Sequence, residues 1–375
     1  MSAVDILPTT QIADGMAAKA ASKPAVREDL TYVRVIRAFA LFVIVTQHLS
    51  FPLIYEYNTI SYAGWWVGVA IYMWGKAGSP LFTMVSGLLL LDPRKDEPVS
   101  VFFRKRFVKV LIPFIAWSAI YLLWRIYARG EEFTAREIVT LFVQGPVYYH
   151  LWFIQMILGL YLATPILRIY TRNTTRANLR YFLLVWFVTV SLLPIFNRFT
   201  GIEIGIQVVV TTGFVGFYVL GYYLRPLALS QRQFVLALLA MVAALLTTQL
   251  LIHGLTVGNG GVFDNFFALN DSVNIVIVTV SLFMILKSLD YTRIFAALPW
   301  LGKIVTWVSS TSLGIYFVHV LIIEELASGR FGFVFTGMTV HPLFGILFGS
   351  VLVMTVSVII TMILQRIPVV RHIVP

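Results

Sequence analysis

Most of this chain cannot be kept in water. Its apolar residues fall into long runs rather than alternating with polar ones, at about 35–55, 65–91, 108–127, 148–168, 181–197, 204–223, 233–253, 272–289, 302–326 and 342–366. Runs of roughly 18 or more apolar residues are long enough to cross the hydrocarbon layer as helices, in which each backbone polar group is paired within its own segment. Only 12% of the 375 residues are charged and 59% are hydrophobic, whereas a soluble domain carries about 25% charge. The fold class expected is therefore an all-α integral membrane protein with about ten transmembrane helices. The second run contains Lys76 and a Gly-Ser-Pro break at 78–80. Non-helical backbone at that depth needs protein or water around it, so this run is expected to be a broken helix or a short surface helix followed by a span.

The net charge of +11 would suit a nucleic-acid partner. The basic residues, however, gather between the apolar runs on alternate loops, which is the positive-inside pattern of a membrane protein. With the N-terminus cytoplasmic, the inner side holds twenty-one Lys and Arg, and its densest group is Arg104, Lys105, Arg106 and Lys109. The outer side holds five: Arg125, Arg129, Arg136, Arg198 and Arg330. Both termini are expected in the cytoplasm, as an even number of spans requires, and no nucleic acid is needed. Residues 1–30 are small, polar and Ala-rich, and are expected to form a disordered cytoplasmic tail. Residues 31–375 read as one membrane domain without internal repeat. The chain has no cysteine, so disulfides and a thiolate nucleophile are excluded.

Two polar residues interrupt the first run. Arg37 and His48 are eleven residues apart; eleven steps of ~100° return to within about 20°, so both share one helix face, about 16 Å apart along the axis. Arg37 falls at the cytoplasmic rim and His48 near the middle or outer half of the bilayer. Ionisable groups at such depth face protein or water and mark sites or pathways. Two plainer roles stay open: Arg37 snorkelling to headgroups, and His48 as an interhelical hydrogen-bonder.

TYVRVIRAFALFVIVTQHLSFPL (31–53) resembles the first helix of the acyltransferase-3 family, in which an Arg, ten intervening residues and then a His stand in an apolar helix. Other segments fit in order. SPLFTMVSGLLLL (79–91) resembles the family's "Phe…Ser-Gly" span, and RKRFVKVLIPF (104–114) its basic entry to the third span. YHLWFIQMILGLYLATPIL (149–167) is similar to the "His-x-Trp-Phe…Pro" helix, and SSTSLGIYFVHVLII (309–323) to the late "Ser…Tyr…His" helix. One departure is that Arg106 and Lys109 stand where the family has Arg-x-x-Arg, and lysine lacks the bidentate fork that suits phosphate.

The resemblance implies transfer of an acyl group, most often acetyl, from coenzyme A to a hydroxyl of a surface polysaccharide or its lipid-linked precursor. It also implies a multi-pass protein of the bacterial inner membrane. Acetyl-CoA is then a co-substrate, and no permanently bound cofactor is expected. Arg104, Lys105, Arg106 and Lys109 are expected to hold the donor phosphates, although positive-inside bias alone also produces such a cluster. The pantetheine arm is expected to run along the face from Arg37 to His48. A sugar hydroxyl needs a base within reach, and a neutral buried imidazole suits that task, so His48 is the expected base or acyl relay. Tyr149, His150, Trp152, Tyr316 and His319 are candidates for the acceptor side or for supporting contacts; an aromatic belt for the tyrosines at 148–149 and structural hydrogen bonding for His319 are the plainer readings and come first. HExxH, Walker and GxGxxG patterns are absent, so neither a metal nor a nucleotide motor is expected. The alternative from another class is a glycan or lipid transporter, to which broken helices and intramembrane charge also belong.

Overall fold

The computed structural model describes residues 30–92, 94, 97–205, 208 and 213–375, which form helices and turns with no strand among them. Apart from Leu30, the tail expected over 1–30 lies outside the described residues. The first helix, α1 (Thr31–Ser50), leads through a 3-10 turn (Phe51–Tyr55) to α2 (Tyr62–Gly75) and α3 (Gly78–Leu90). Next, α4 (Val99–Arg106) continues through a π-helical turn (Phe107–Leu111) into α5 (Ile112–Arg129). Then α6 (Ala135–Gln144) and a 3-10 turn (Tyr149–Leu151) precede α7 (Trp152–Asn173). After α8 (Arg176–Phe187) a second π turn (Val188–Leu192) leads into α9 (Leu193–Thr200). The remainder comprises α10 (Val215–Leu224), α11 (Gln231–Gly258), α12 (Val273–Ser288), α13 (Tyr291–Ala297), α14 (Pro299–Ser310), α15 (Ser312–Ala327) and α16 (Pro342–Leu364).

Among the described residues, 7 helical segments are long and apolar enough to cross a membrane, and they coincide with the first, third, fourth, fifth, seventh, eighth and tenth predicted runs. The ninth run is no single rod. It consists of α14 and α15, bent by 83° and counted as an eighth span if taken together. The second run is two helices meeting at Lys76 and Ala77, and the helix of the sixth is the short α10.

These interruptions have local causes. Pro113 and Pro194 each lack the N–H that would bond the carbonyl four residues back, and both π turns lie just before a proline. At the α14–α15 bend the sequence is Ser-Ser-Thr-Ser; the Thr311 and Ser310 hydroxyls donate to the Trp307 carbonyl at 2.7 and 2.9 Å, crowding an acceptor that also takes the Thr311 N–H at 3.1 Å.

The first helix lies at the centre, packed by α2, α3, α12, α14, α15 and α16. Glycine makes the tightest crossing possible. A Cβ on Gly87 of α3 would overlap the Tyr218 carbonyl of α10, and one on Gly221 of α10 would overlap the Met84 carbonyl of α3. The Ser-Gly pair at 86–87 therefore has two uses: its glycine admits the neighbouring backbone, and its serine is left facing inward.

Candidate functional site

The eleven-residue spacing in α1 does what helical geometry requires. Both polar side chains turn toward the same partner, α15. The Arg37 guanidinium donates to Ser312 Oγ at 2.6 Å, and His48 Nδ1 lies 2.9 Å from His319 Nε2. The two imidazoles are nearly parallel, 11° between planes. His319 is wholly buried, and its Nδ1 lies 3.1 Å from the Ile315 carbonyl. A carbonyl only accepts, so His319 carries its proton on Nδ1 and presents a lone pair at Nε2. His48 must then donate from Nδ1. Its Nε2 is left as the acceptor, which is the nitrogen a general base uses. The orienting partner that a carboxylate often supplies is here a second, backbone-anchored histidine.

A cavity of about 270 Å³ begins beside Arg37. It is lined by Ser86 of α3, Arg106 at the end of α4, Phe153 and Tyr161 of α7, and Ser312 and Tyr316 of α15. Phe153 and Tyr161 lie two helical turns apart on one face, with Ile157 between them also in the wall. Arg106 lies over the Tyr161 and Phe102 rings, at 5.7 and 5.5 Å from their centroids, and its buried Nε has no hydrogen-bond partner among the described residues. Of the four basic residues predicted to hold the donor, only Arg106 reaches this cavity. Lys105 pairs with Glu97 at 2.6 Å, and Arg104 and Lys109 are exposed. The π turn begins directly after Arg106, so Arg106 and Lys109 do not share the face that their spacing in a regular helix would give them.

The region where α3 ends is held by ion pairs. Asp92, just past α3, meets Arg225 at 2.8 Å and Arg94 at 2.9 Å. Burial opposes its charge, yet the hydrogen bonds from Arg94 and Arg225 hold this carboxyl well below the usual carboxylate range. The Lys105 hydrogen bond, and after it the Arg168 contact, lower the Glu97 carboxyl as well. Arg168, counted in the sequence only as a topological charge, is buried and donates from Nε to the Leu90 carbonyl at 2.7 Å, capping the end of α3. Its signal was weak, because nothing in a helix sequence shows which neighbour's last carbonyl it will meet.

One expectation is corrected. The face from Arg37 to His48, expected to carry the pantetheine arm, is not one cavity: Arg37 and Tyr316 line the cavity found there and His48 does not. Tyr316 follows Ser312 by four residues and precedes His319 by three, so all three share one face of α15. Its ring is 5.8 Å from that of His319 and 5.5 Å from that of His150, and its hydroxyl donates to the His150 carbonyl. The wall between the Arg37 cavity and the histidines includes this aromatic ring. His150 is buried and, among the described residues, neither ring nitrogen has a hydrogen-bond partner; its ring is 6.5 Å from that of His48. On the far side the Tyr149 ring stands 5.4 Å from His48 and is 45% exposed. Trp152 turns elsewhere, against Phe153 and Phe214.

The chain matches no curated protein and no solved structure. The acyltransferase-domain model of the acyltransferase-3 family, in contrast, matches residues 30–362, a stretch that contains α1, α15 and every residue of the cavity and of the histidine pair. On that match over nearly its whole length, the chain belongs to the acyltransferase-3 family.

Proposed function

We propose that this protein is a membrane-bound O-acyltransferase. It moves an acyl group, acetyl in the simplest case, from cytosolic acyl-CoA to a hydroxyl of a surface polysaccharide or its lipid-linked precursor, in the inner membrane of a bacterium. The alternation of basic loops supports ten passes with both termini inside, the broken α2–α3 pair and the bent α14–α15 pair each serving as one pass.

The observation that carries this reading is the proton-fixed His48–His319 pair beside a cavity with two arginines. The donor phosphates stay at the inner rim, with Arg106 and Arg37 as the cations nearest the entering arm. The cavity is smaller than the roughly 300–1,000 Å³ of small-molecule sites. It therefore suits the thioester end of the donor, with the nucleotide outside. The Tyr316 side chain must swing aside for the thioester carbon to meet His48. The acceptor hydroxyl arrives from the Tyr149 side. His48 Nε2 takes its proton as the oxygen bonds to the acyl carbon; the C–S bond breaks, and the leaving thiolate takes that proton back from the imidazolium. His319 accepts the Nδ1–H throughout and spreads the transient positive charge.

The test is release of CoA thiol with acylation of a glycan acceptor by the purified protein. His48→Ala should lower transfer by at least about 10²-fold, the low end for loss of a positioned base, with normal folding. Full activity in that variant removes His48 from the chemistry. A transporter would move glycan and leave the thioester intact.

A further inference from the structure

Lys76 is the third ionisable residue within the predicted spans, after Arg37 and His48. Those two have side-chain partners. Among the described residues the Lys76 ammonium has no hydrogen bond or ion pair; it lies over the face of Tyr72, 5.4 Å from the ring centroid. Its depth is fixed by the backbone around it. Gly75 packs against Val43 and Gln47 of α1, and Gly78 against Ala40 and Ile44, so the α2–α3 break is clamped to α1 about one turn from His48. An ammonium without a partner inside a membrane span is costly, and such a charge normally marks a binding site.

A run of aromatic rings joins Lys76 to His48, starting from the buried Tyr72. Tyr72 meets Phe51 at 6.0 Å, Phe51 lies over Tyr149 at 6.5 Å and 13° from parallel, and Tyr149 meets His48 at 5.4 Å. Phe51 and Tyr149 are 41% and 45% exposed, so the strip opens outward. The Lys76 charge acts on the His48 imidazole, and Asp271, whose carboxylate acts on Lys76, forms no ion pair with it among the described residues. Flat apolar rings suit the C–H faces of a sugar. A cation at one end suits an acid group on that sugar or its neighbour, and a base at the other end suits the hydroxyl to be acylated.

We propose that the acceptor is an acidic glycan, whose carboxylate or phosphate pairs with Lys76 while its sugar ring lies on Phe51 and Tyr149. This rests on the acyltransferase reading for the identity of the acceptor but not for its charge. The test is equilibrium binding, without acyl donor, of methyl β-D-glucuronide, glucose 6-phosphate and neutral methyl β-D-glucoside to the full-length protein in detergent. At least one acidic probe should bind about tenfold tighter than the neutral one. Lys76→Gln should reduce that preference to within about twofold, Lys76→Arg should retain part of it, and His48→Ala should keep it. In wild-type protein the same acidic probe should shield Lys76 from reductive methylation, mapped by mass spectrometry, and the glucoside should not; this arm stands even if the Gln variant fails to fold. No acidic preference in wild type, its survival in Lys76→Gln, or equal shielding by the neutral probe overturns the proposal. A separate failure to release CoA thiol would sink the acyltransferase reading and leave the charge preference standing.

Discussion

Replacing His319 tests the proton arrangement most directly. In His319→Phe the ring volume is kept, but the acceptor 2.9 Å from His48 Nδ1 is gone. His48 then either leaves a buried N–H unpaired or moves its proton to Nε2, and the second choice removes the lone pair that a base needs. Leaving a buried polar group unsatisfied costs about 1–3 kcal/mol. At ~1.36 kcal/mol per tenfold in rate, kcat should fall roughly 5- to 150-fold. Donor binding should hold, since His319 does not line the Arg37 cavity. His319→Gln places an amide oxygen near the position of Nε2 and should recover most of the loss, which a purely structural role for the ring would not do. The assay is CoA thiol release against acyl-CoA concentration in proteoliposomes, with both variants checked for folding by thermal melting. Activity of the Phe variant within twofold of wild type, or a Gln variant as impaired as Phe, refutes the reasoning.

Other expectations follow from particular contacts. Arg106→Ala should raise the KM for acyl-CoA about tenfold, as expected for losing a charge-assisted contact of roughly 1.5 kcal/mol, whereas Arg104→Ala should stay within twofold; equal effects would return the whole cluster to topology. Gly87→Ala should prevent the α3–α10 crossing, because the added carbon overlaps the Tyr218 carbonyl, and should cost at least the ~1–3 kcal/mol of an overpacked core, measured as lost folded yield in detergent. Asp92→Asn leaves the half-buried Arg225 without its carboxylate and should destabilise by about 1.5–3 kcal/mol at neutral pH. The Asp92 carboxyl is lowered in the folded protein, so its contribution is fully present above the unfolded value of about 3.9 and is lost only as pH falls through the lower folded value. The stability gap between wild type and Asp92→Asn should therefore persist at pH 5 and narrow in stronger acid; a gap that closes by pH 5 contradicts the ion pair.

How much of this was legible beforehand depended on the range of the interaction involved. The lengths of seven spans, the shared face of Arg37 and His48 and the break at Lys76 could be read from the chain, since they follow from local hydropathy, a fixed ~100° helical step and backbone chemistry. Proline before residues 114 and 195 and a run of hydroxyl residues at 309–312 likewise carry their own reasons for π turns and the 83° bend, although those became visible only in three dimensions. What no local pattern contained was the choice of partners. His319 lies 271 residues from His48 and Ser312 lies 275 from Arg37, and the sequence offered several polar residues of equal merit for each. Helix packing made that choice, because α15 alone presents Ser312, Tyr316 and His319 in one line toward α1. The same packing separated Arg106 from its three basic neighbours and set the Tyr316 ring in the cavity wall. A periodicity fixes which residues share a face; only close packing fixes what that face meets.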